Sequence, residues 1–344
     1  MGQSQPATPT PPNLQRDADI WLEDGSIVLV ASHAVAFRIY KSLLAHHATI
    51  FSDMFSLGHS DVDGEDTIDN VPVVHLADPP DALRIFLLIL MSSGFSTPRW
   101  SHPKLPEQLP FSTFDGLLRI AHKYEAIHIL PLLSKFLDAI AYIARDGLLG
   151  EDRVCRPAPE VESLPFAVLV SDDDILGVLD LARCIGADNA IAAAMLWQCC
   201  LRGPVFLRDG LVREGAVVCR LSEDDYVRCV SALPRLLLLR RDIVLATMNS
   251  TNAALFKNCR KQLWQNECKN SINTLASKYA QKPPAIEMTN PAPDAKDGRV
   301  WYGAWMHPGE YTTMCEACSS RSLQELGNAF DMYWRQDLPK LFQL

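Results

Sequence analysis

The sequence has no apolar run that could cross a membrane. Its runs of large apolar residues, at residues 85–91 and 236–239, are far shorter than the roughly 20 residues that a membrane-spanning helix needs. The first residues carry neither the basic segment nor the apolar segment of a secretory signal. We therefore expect an intracellular protein of the cytoplasm or nucleus, with no membrane among its partners.

Basic residues are too few for a nucleic-acid-binding protein. The chain has 32 lysines and arginines against 41 aspartates and glutamates, and its formal net charge is −9. Binding to phosphates needs a basic footprint, which this balance does not supply. The composition predicts that nucleic acid is not a partner.

Motifs that would indicate catalysis are also missing. There is no P-loop, no G-x-G-x-x-G and no G-x-S-x-G. A Cys–His hydrolase needs a thiolate beside a positioned histidine, yet most of the nine histidines lie in the first half and most of the ten cysteines in the second. The sequence therefore predicts no catalytic residue, no cofactor and no enzymatic activity.

The cysteines pose the one question of metal binding. A long chain without an export signal is expected to keep its thiols reduced and mostly buried, as we expect of the packing positions Cys184, Cys199, Cys200, Cys219 and Cys229. Four others could together supply four thiolates to zinc: Cys259, Cys268, Cys315 and Cys318. A strong zinc signal has two tight pairs, whereas eight residues separate the first two of these, and the C-x-x-C pair falls within a helix predicted over 311–326. We therefore predict no metal site and keep the four as zinc candidates.

The most informative stretch of the chain is residues 21–55. Residues 26–30 and 35–39 are β-branched and apolar, and the turn between them predicts a hairpin. From Lys41 onward the apolar residues recur at helical spacing, which predicts two short helices. A hairpin followed by a helical pair indicates an α+β fold.

This stretch resembles the signature of the BTB/POZ family, F-x-V-H-K/R-x-x-L-A-x-x-S-x-x-F-x-x-M-F. The matching residues in FRIYKSLLAHHATIFSDMF are Phe37, Lys41, Leu44, Ala45, Phe51, Met54 and Phe55. Tyr40 and Ala48 depart from it. The flanking residues 23–25 resemble the fungal branch of the family, and residues 117–133 resemble its closing helices.

The resemblance and the composition together divide the chain. We predict a disordered leader at 1–16, a BTB/POZ domain at 17–138, a linker at 139–165, and an all-helical domain at 166–344 that includes a proline-rich loop at 282–299. Residues 179–187 echo residues 118–126, and both predict a helix–turn–helix with alanine where the helices cross.

The family resemblance implies a protein-interaction module without catalysis. It implies two kinds of partner, a cullin, for which the chain would be a ubiquitin-ligase substrate adaptor, or a second copy of the chain in a homodimeric scaffold. The residues implied in partner contact are Lys41, Ile50, Phe51, Met54 and Phe55. The alternative is a zinc-stabilised helical domain with an unrecognised enzymatic activity.

Overall fold

A computed structural model of the chain shows a mixed α+β protein, which confirms the predicted class at that level. It describes residues 14–57, 66–93, 105–144, 153–157, 164–213, 216–248, 253–256, 259, 265–281 and 314–344. The chain divides into two units. One comprises Met1–Ile140 with Glu151–Val170, and the other comprises Ala141–Gly150 with Ser171–Leu344.

The first unit contains a five-stranded sheet with the order β1-β3-β2-β5-β4. Its strands are β1 (Gln15–Trp21), β2 (Ile27–Val30), β3 (Val35–Ile39), β4 (Thr67–Ile68) and β5 (Val71–His75). The predicted hairpin is confirmed, because β2 and β3 pair antiparallel with Ile27 opposite Ile39. All four residues of β2 are buried, as expected for a central strand.

Strand β1 shortens the predicted disordered leader. Gln15 and Arg16 belong to this strand, which pairs parallel with β3, while residues 1–13 lie outside the described residues. The buried carboxylate of Asp17 accepts hydrogen bonds from the backbone N–H groups of Asp19 and Ile20, both at 2.9 Å. Pairing with β3 orders Gln15 and Arg16, which the composition had placed in the disordered leader.

Five α-helices of the described residues begin in the first unit. They are α1 (Lys41–His47), α2 (Thr49–Ser56), α3 (Pro80–Ser93), α4 (Phe111–Lys123) and α5 (Leu130–Ala144). Helices α1 and α2 are the predicted short pair. The apolar run at 85–91 lies in α3 and is almost wholly buried. A helix that is apolar on all sides is expected to be buried on all sides.

A second, three-stranded sheet corrects the predicted domain boundaries. The sequence predicts a linker over 139–165 and helices alone from 166, but α5 continues to Ala144 and three short strands follow the order β6-β8-β7. They are β6 (Gln108–Pro110), β7 (Arg153–Cys155) and β8 (Ala167–Val170). Strands this short have too few residues to show a period, and their pairing is decided by tertiary contacts.

Asp78 is a buried acid that joins three parts of the first unit. Its carboxylate accepts hydrogen bonds from Tyr124 Oη at 2.5 Å and from Lys123 Nζ at 2.9 and 3.0 Å. Its backbone carbonyl accepts from the backbone N–H and the hydroxyl of Ser32, at 3.1 and 3.0 Å. Burial and the bond to Asp78 raise the pKa of Tyr124, so this hydroxyl keeps its proton and donates. The end of α4 is thereby fixed to the segment that precedes α3.

The second unit is mainly helical, although the prediction of helices alone is wrong there too, because β9 (Leu211–Arg213) and β10 (Ala216–Cys219) form a hairpin. Its helices are α6 (Ile175–Cys184), α7 (Asn189–Leu201), α8 (Pro204–Asp209), α9 (Glu223–Thr247), α10 (Gln265–Gln281), α11 (Glu316–Gln336) and α12 (Leu338–Leu341). The predicted proline-rich loop at 282–299 lies outside the described residues. No helix within the described residues is long and apolar enough to span a membrane.

The predicted echo between residues 118–126 and 179–187 is confirmed in the backbone. The N–H of Ala126 donates to the carbonyl of Ala121 at 2.8 Å, and the N–H of Ala187 donates to that of Ala182 at the same distance. Both helices then turn through a left-handed residue, Glu125 with φ 50° and Gly186 with φ 65°. Each turn closes its helix with the same Schellman pattern of hydrogen bonds.

Asp225 anchors the start of α9. Its side chain is 2 % exposed and accepts two hydrogen bonds from Arg183, at 2.5 and 2.6 Å. Ser222 Oγ donates to it at 2.8 Å, and Arg228 at 3.1 Å. Burial alone would raise the pKa of Asp225, but these hydrogen bonds outweigh burial and lower it, so the carboxylate is ionised and ties α6 to α9.

Candidate functional site

The residues implied in partner contact lie on and beside the α1–α2 pair. Lys41 opens α1, and its Nζ lies 4.8 Å from the ring centroid of Phe55. Ile50 is 39 % exposed on α2, while Met54 and Phe55 are half-buried. The structure therefore brings Lys41 and Phe55 together and leaves Ile50 open to contact.

Phe51 is a correction to the predicted contact residues. Its side chain is buried and stacks on Tyr124, with ring centroids 4.3 Å apart. It cannot touch a partner protein unless the unit opens. Phe51 instead packs inside the unit against Tyr124, whose hydroxyl donates a hydrogen bond to Asp78.

Two exposed apolar residues extend this surface and were not singled out from the sequence. Leu57 follows the last residue of α2 and is 86 % exposed, and Ile127 lies in the turn after α4 and is 59 % exposed. The N-terminus of α2 adjoins that turn, because Thr49 N–H donates to Glu125 and Ile50 N–H to Tyr124, both at 3.4 Å. The sequence predicts a helix from Ile127 to Leu137, but the helix begins at Leu130, so Ile127 lies in the turn before it. Leu57 follows α2. We refer to Ile50, Leu57 and Ile127 as the apolar patch.

His47 is a buried base behind the same surface. Within the described residues neither of its ring nitrogens has a hydrogen-bond partner. Its ring centroid lies 4.8 Å from that of His46 and 6.4 Å from that of His128. Burial lowers the pKa of His47, and the charges that His46 and His128 carry when protonated lower it further.

Acidification is expected to destabilise the first unit through His47. The pKa of His47 is lower in the folded chain than in the unfolded chain, where it is about 6.5. Above that pH, His47 is neutral in both states and does not affect the free energy of unfolding. Below it, the unfolded chain binds a proton more readily, so the free energy of unfolding falls by at most about 1.4 kcal/mol per pH unit. Urea unfolding on either side of that pH measures the loss. His47→Leu removes this part of the pH dependence, and the exposed control His122→Leu retains it. Equal slopes in the wild type and His47→Leu would contradict the assignment.

The four zinc candidates form a cluster in the second unit. Cys259, Cys268, Cys315 and Cys318 are all buried, and their Sγ atoms all lie within 4.8 Å of one another. Cys259 Sγ lies 3.9 Å from Cys268 Sγ and 3.8 Å from Cys315 Sγ, so none of these contacts is a disulfide. The structure therefore brings together four cysteines whose spacing in the sequence was only a weak indication of a zinc site.

Three separate segments bring these thiols together. Cys259 follows a 3-10 turn at Ala253–Phe256, and Cys268 lies in the first turn of α10. Cys315 is the N-cap of α11, and Cys318 lies in the first turn of that helix. The helix predicted over 311–326 begins later than expected, which places the C-x-x-C pair at a helix N-terminus rather than inside a helix.

The surroundings of the four cysteines, which we call the thiol cluster, are apolar. The buried residues packed with it are Ile243, Met248, Leu255, Phe256, Ile272 and Met314. The backbone N–H of Cys315 donates to Cys268 Sγ at 3.5 Å. Burial raises the pKa of Cys318, and it raises that of Cys268 against the opposing effect of this N–H. Four sulfur ligands without an open position fit a structural ion rather than a catalytic one.

The remaining thiols divide into two groups. Cys155 is buried in β7, and Cys199, Cys200 and Cys229 are buried between α7 and α9, as expected for packing residues. Burial raises the pKa of Cys155 and of Cys199. Cys184 and Cys219 are exposed, which corrects their predicted burial. Within the described residues, the thiol cluster is the only group of three or more metal-ligating side chains close enough to share an ion.

No family model matches the chain, and no curated protein matches it. The residues themselves must therefore carry any functional conclusion.

Proposed function

We propose that this chain is a protein-interaction module of the BTB/POZ type, acting as a substrate adaptor of a cullin-type ubiquitin ligase. The observation that carries the proposal is the apolar patch, which lies beside the buried contact of Phe51 with Tyr124. Its three large exposed apolar side chains lie at the two ends of α2 and in the turn after α4, and grouped apolar side chains mark protein-binding surfaces more often than scattered ones do. The signature resemblance supplies the kind of module, and the patch supplies a place for contact.

The buried contacts of Phe51, Tyr124 and Asp78 favour binding without rearrangement of the patch. Phe51 stacks on Tyr124, whose hydroxyl donates to Asp78, so buried contacts join α2 to the end of α4. A pre-organised surface loses little conformational entropy on binding. In this proposal the second unit captures the target protein, and the activity takes place inside the cell.

The proposal includes no catalysis. The alternative of a metal-dependent enzyme needs an ion with an open coordination position, and four cysteines close the tetrahedron. Homodimerisation is the other route that the resemblance implies, and the same experiment separates it from cullin binding.

Size-exclusion chromatography with light scattering tests the proposal on the full chain. The chain is expected to elute as a monomer alone and to co-elute with a cullin N-terminal domain. Ile50→Glu and Leu57→Glu each place a charge in the patch and are expected to weaken binding by more than about tenfold, a cost above about 1.4 kcal/mol. Both positions are exposed, so the fold should tolerate the change.

Val205→Glu is the matched control, because Val205 is also a strongly exposed apolar residue but lies on α8 of the second unit. It should bind as the wild type does. A dimer that excludes the cullin would replace the adaptor proposal with self-association. A monomer that binds no cullin would reject both.

A further inference from the structure

The thiol cluster has the dimensions of a single tetrahedral metal site. A tetrahedron with zinc–sulfur bonds of about 2.3 Å has sulfur–sulfur edges of about 3.8 Å. Cys259 Sγ lies 3.9 Å from Cys268 Sγ and 3.8 Å from Cys315 Sγ, and all four sulfurs lie within 4.8 Å of one another. Cysteines that merely pack in a core have no reason to meet four at a time at this spacing.

We propose that Cys259, Cys268, Cys315 and Cys318 bind one structural Zn²⁺ as thiolates. Four sulfur ligands select zinc or iron among the common ions, since harder ions prefer oxygen. An iron–sulfur cluster sets its own iron and sulfide atoms between the thiolates and spreads them further apart than one ion does. The close spacing therefore favours a mononuclear site, and zinc is the usual occupant of such a closed site.

Charge and hydrogen bonding around the cluster agree with this assignment. Four thiolates and one Zn²⁺ leave a net charge of about −2 at the site, which burial in apolar surroundings would penalise. The cluster lies at the N-terminus of α11, where the helix dipole favours negative charge. The Cys315 N–H donates to Cys268 Sγ at 3.5 Å, as outer-shell donors to metal-bound thiolates do.

The ion would complete the core at this end of the second unit, because apolar side chains make up only part of that core. Four of the ten buried residues in this core are the cysteines themselves. Cys268 and Cys315 are separated by 47 positions in the chain, so one ion closes a long loop. The site is independent of the apolar patch, and the two proposals can fail separately.

Metal analysis of the full chain, produced in zinc-supplemented medium and purified without chelators, is the deciding experiment. Elemental analysis is expected to find about one zinc per chain. Replacement of the zinc by Co²⁺ should give the intense visible absorption of a tetrahedral thiolate site. Both measurements use the wild-type protein and do not depend on a variant that folds.

Variants then assign the ligands. Cys268→Ala and Cys318→Ala are expected to lose the zinc to background, and Cys199→Ala, which removes an equally buried thiol outside the cluster, should keep it. A wild-type protein without bound metal would overturn the site. Stoichiometric iron would overturn the choice of ion, and zinc retained by both cluster variants would overturn the assignment of its ligands.

Discussion

Removal of the metal is expected to unfold the thiol-cluster end of the second unit. Zinc–thiolate binding contributes apparent free energies of about 10–16 kcal/mol in small zinc peptides, which sets an upper limit here. Without the ion, the four buried thiols lose the partner that they share at the first turns of α10 and α11. The loss should be far larger than the cost of removing any one cysteine elsewhere.

Hydrogen exchange before and after chelation would measure this effect. Backbone amides of α10 and of the first turns of α11 are expected to lose protection, whereas those of α6 and α7 should retain it because their apolar core does not include the cluster. Cys199→Ala serves as the control for loss of a buried sulfur, with a cost near that of one small cavity. Unchanged protection in α10 after the metal is gone would show that the ion has no structural role.

Asp225→Ala is expected to lower the free energy of unfolding by about 3 kcal/mol. Removal of one partner from a buried ion pair leaves the other charge without compensation, which costs about 3–5 kcal/mol in measured cases. The low end applies because Arg183 is 37 % exposed and water can solvate its guanidinium once Asp225 is gone. Ser222 and Arg228 lose a hydrogen bond at the same time.

Asp209→Ala is the matched control for that substitution. Asp209 also pairs with an arginine, at 2.7 Å, but the side chains of Arg208 and Asp209 are 71 % and 38 % exposed. Exposed pairs contribute little to stability because water screens them, so this variant should unfold at nearly the wild-type urea concentration. Equal losses in the two variants would mean that burial of Asp225 does not set the strength of its interactions.

Local patterns were sufficient for much of the first unit. Strong β-branched strands predicted the β2–β3 hairpin, and helical spacing after Lys41 predicted α1 and α2. The echo between residues 118–126 and 179–187 extended to the hydrogen bonds of the turns, because the left-handed residue and the two hydrogen bonds of a Schellman ending are local features of the chain.

Other features depended on residues that are distant in the chain. Phe51 matches the family signature, but its burial follows from Tyr124, more than seventy residues later. Strand β8 lies between β6 and β7, and β6 comes more than fifty residues earlier in the chain. The cysteine spacing was also a weak indication of a site, because Cys259 and Cys268 are distant in the chain from Cys315 and Cys318. The predicted start of the helix at Cys315 was also too early.

The position of β8 has a consequence for synthesis of the chain on the ribosome. It is the middle strand of its sheet, and Phe166, just before it, stacks on Phe136 with ring centroids 5.1 Å apart. The first unit therefore cannot complete its fold until residue 170 has emerged. A nascent chain that ends near residue 138 exposes Phe136 and an unpaired β6 edge. Translation must pass this point before the unit is protected from aggregation.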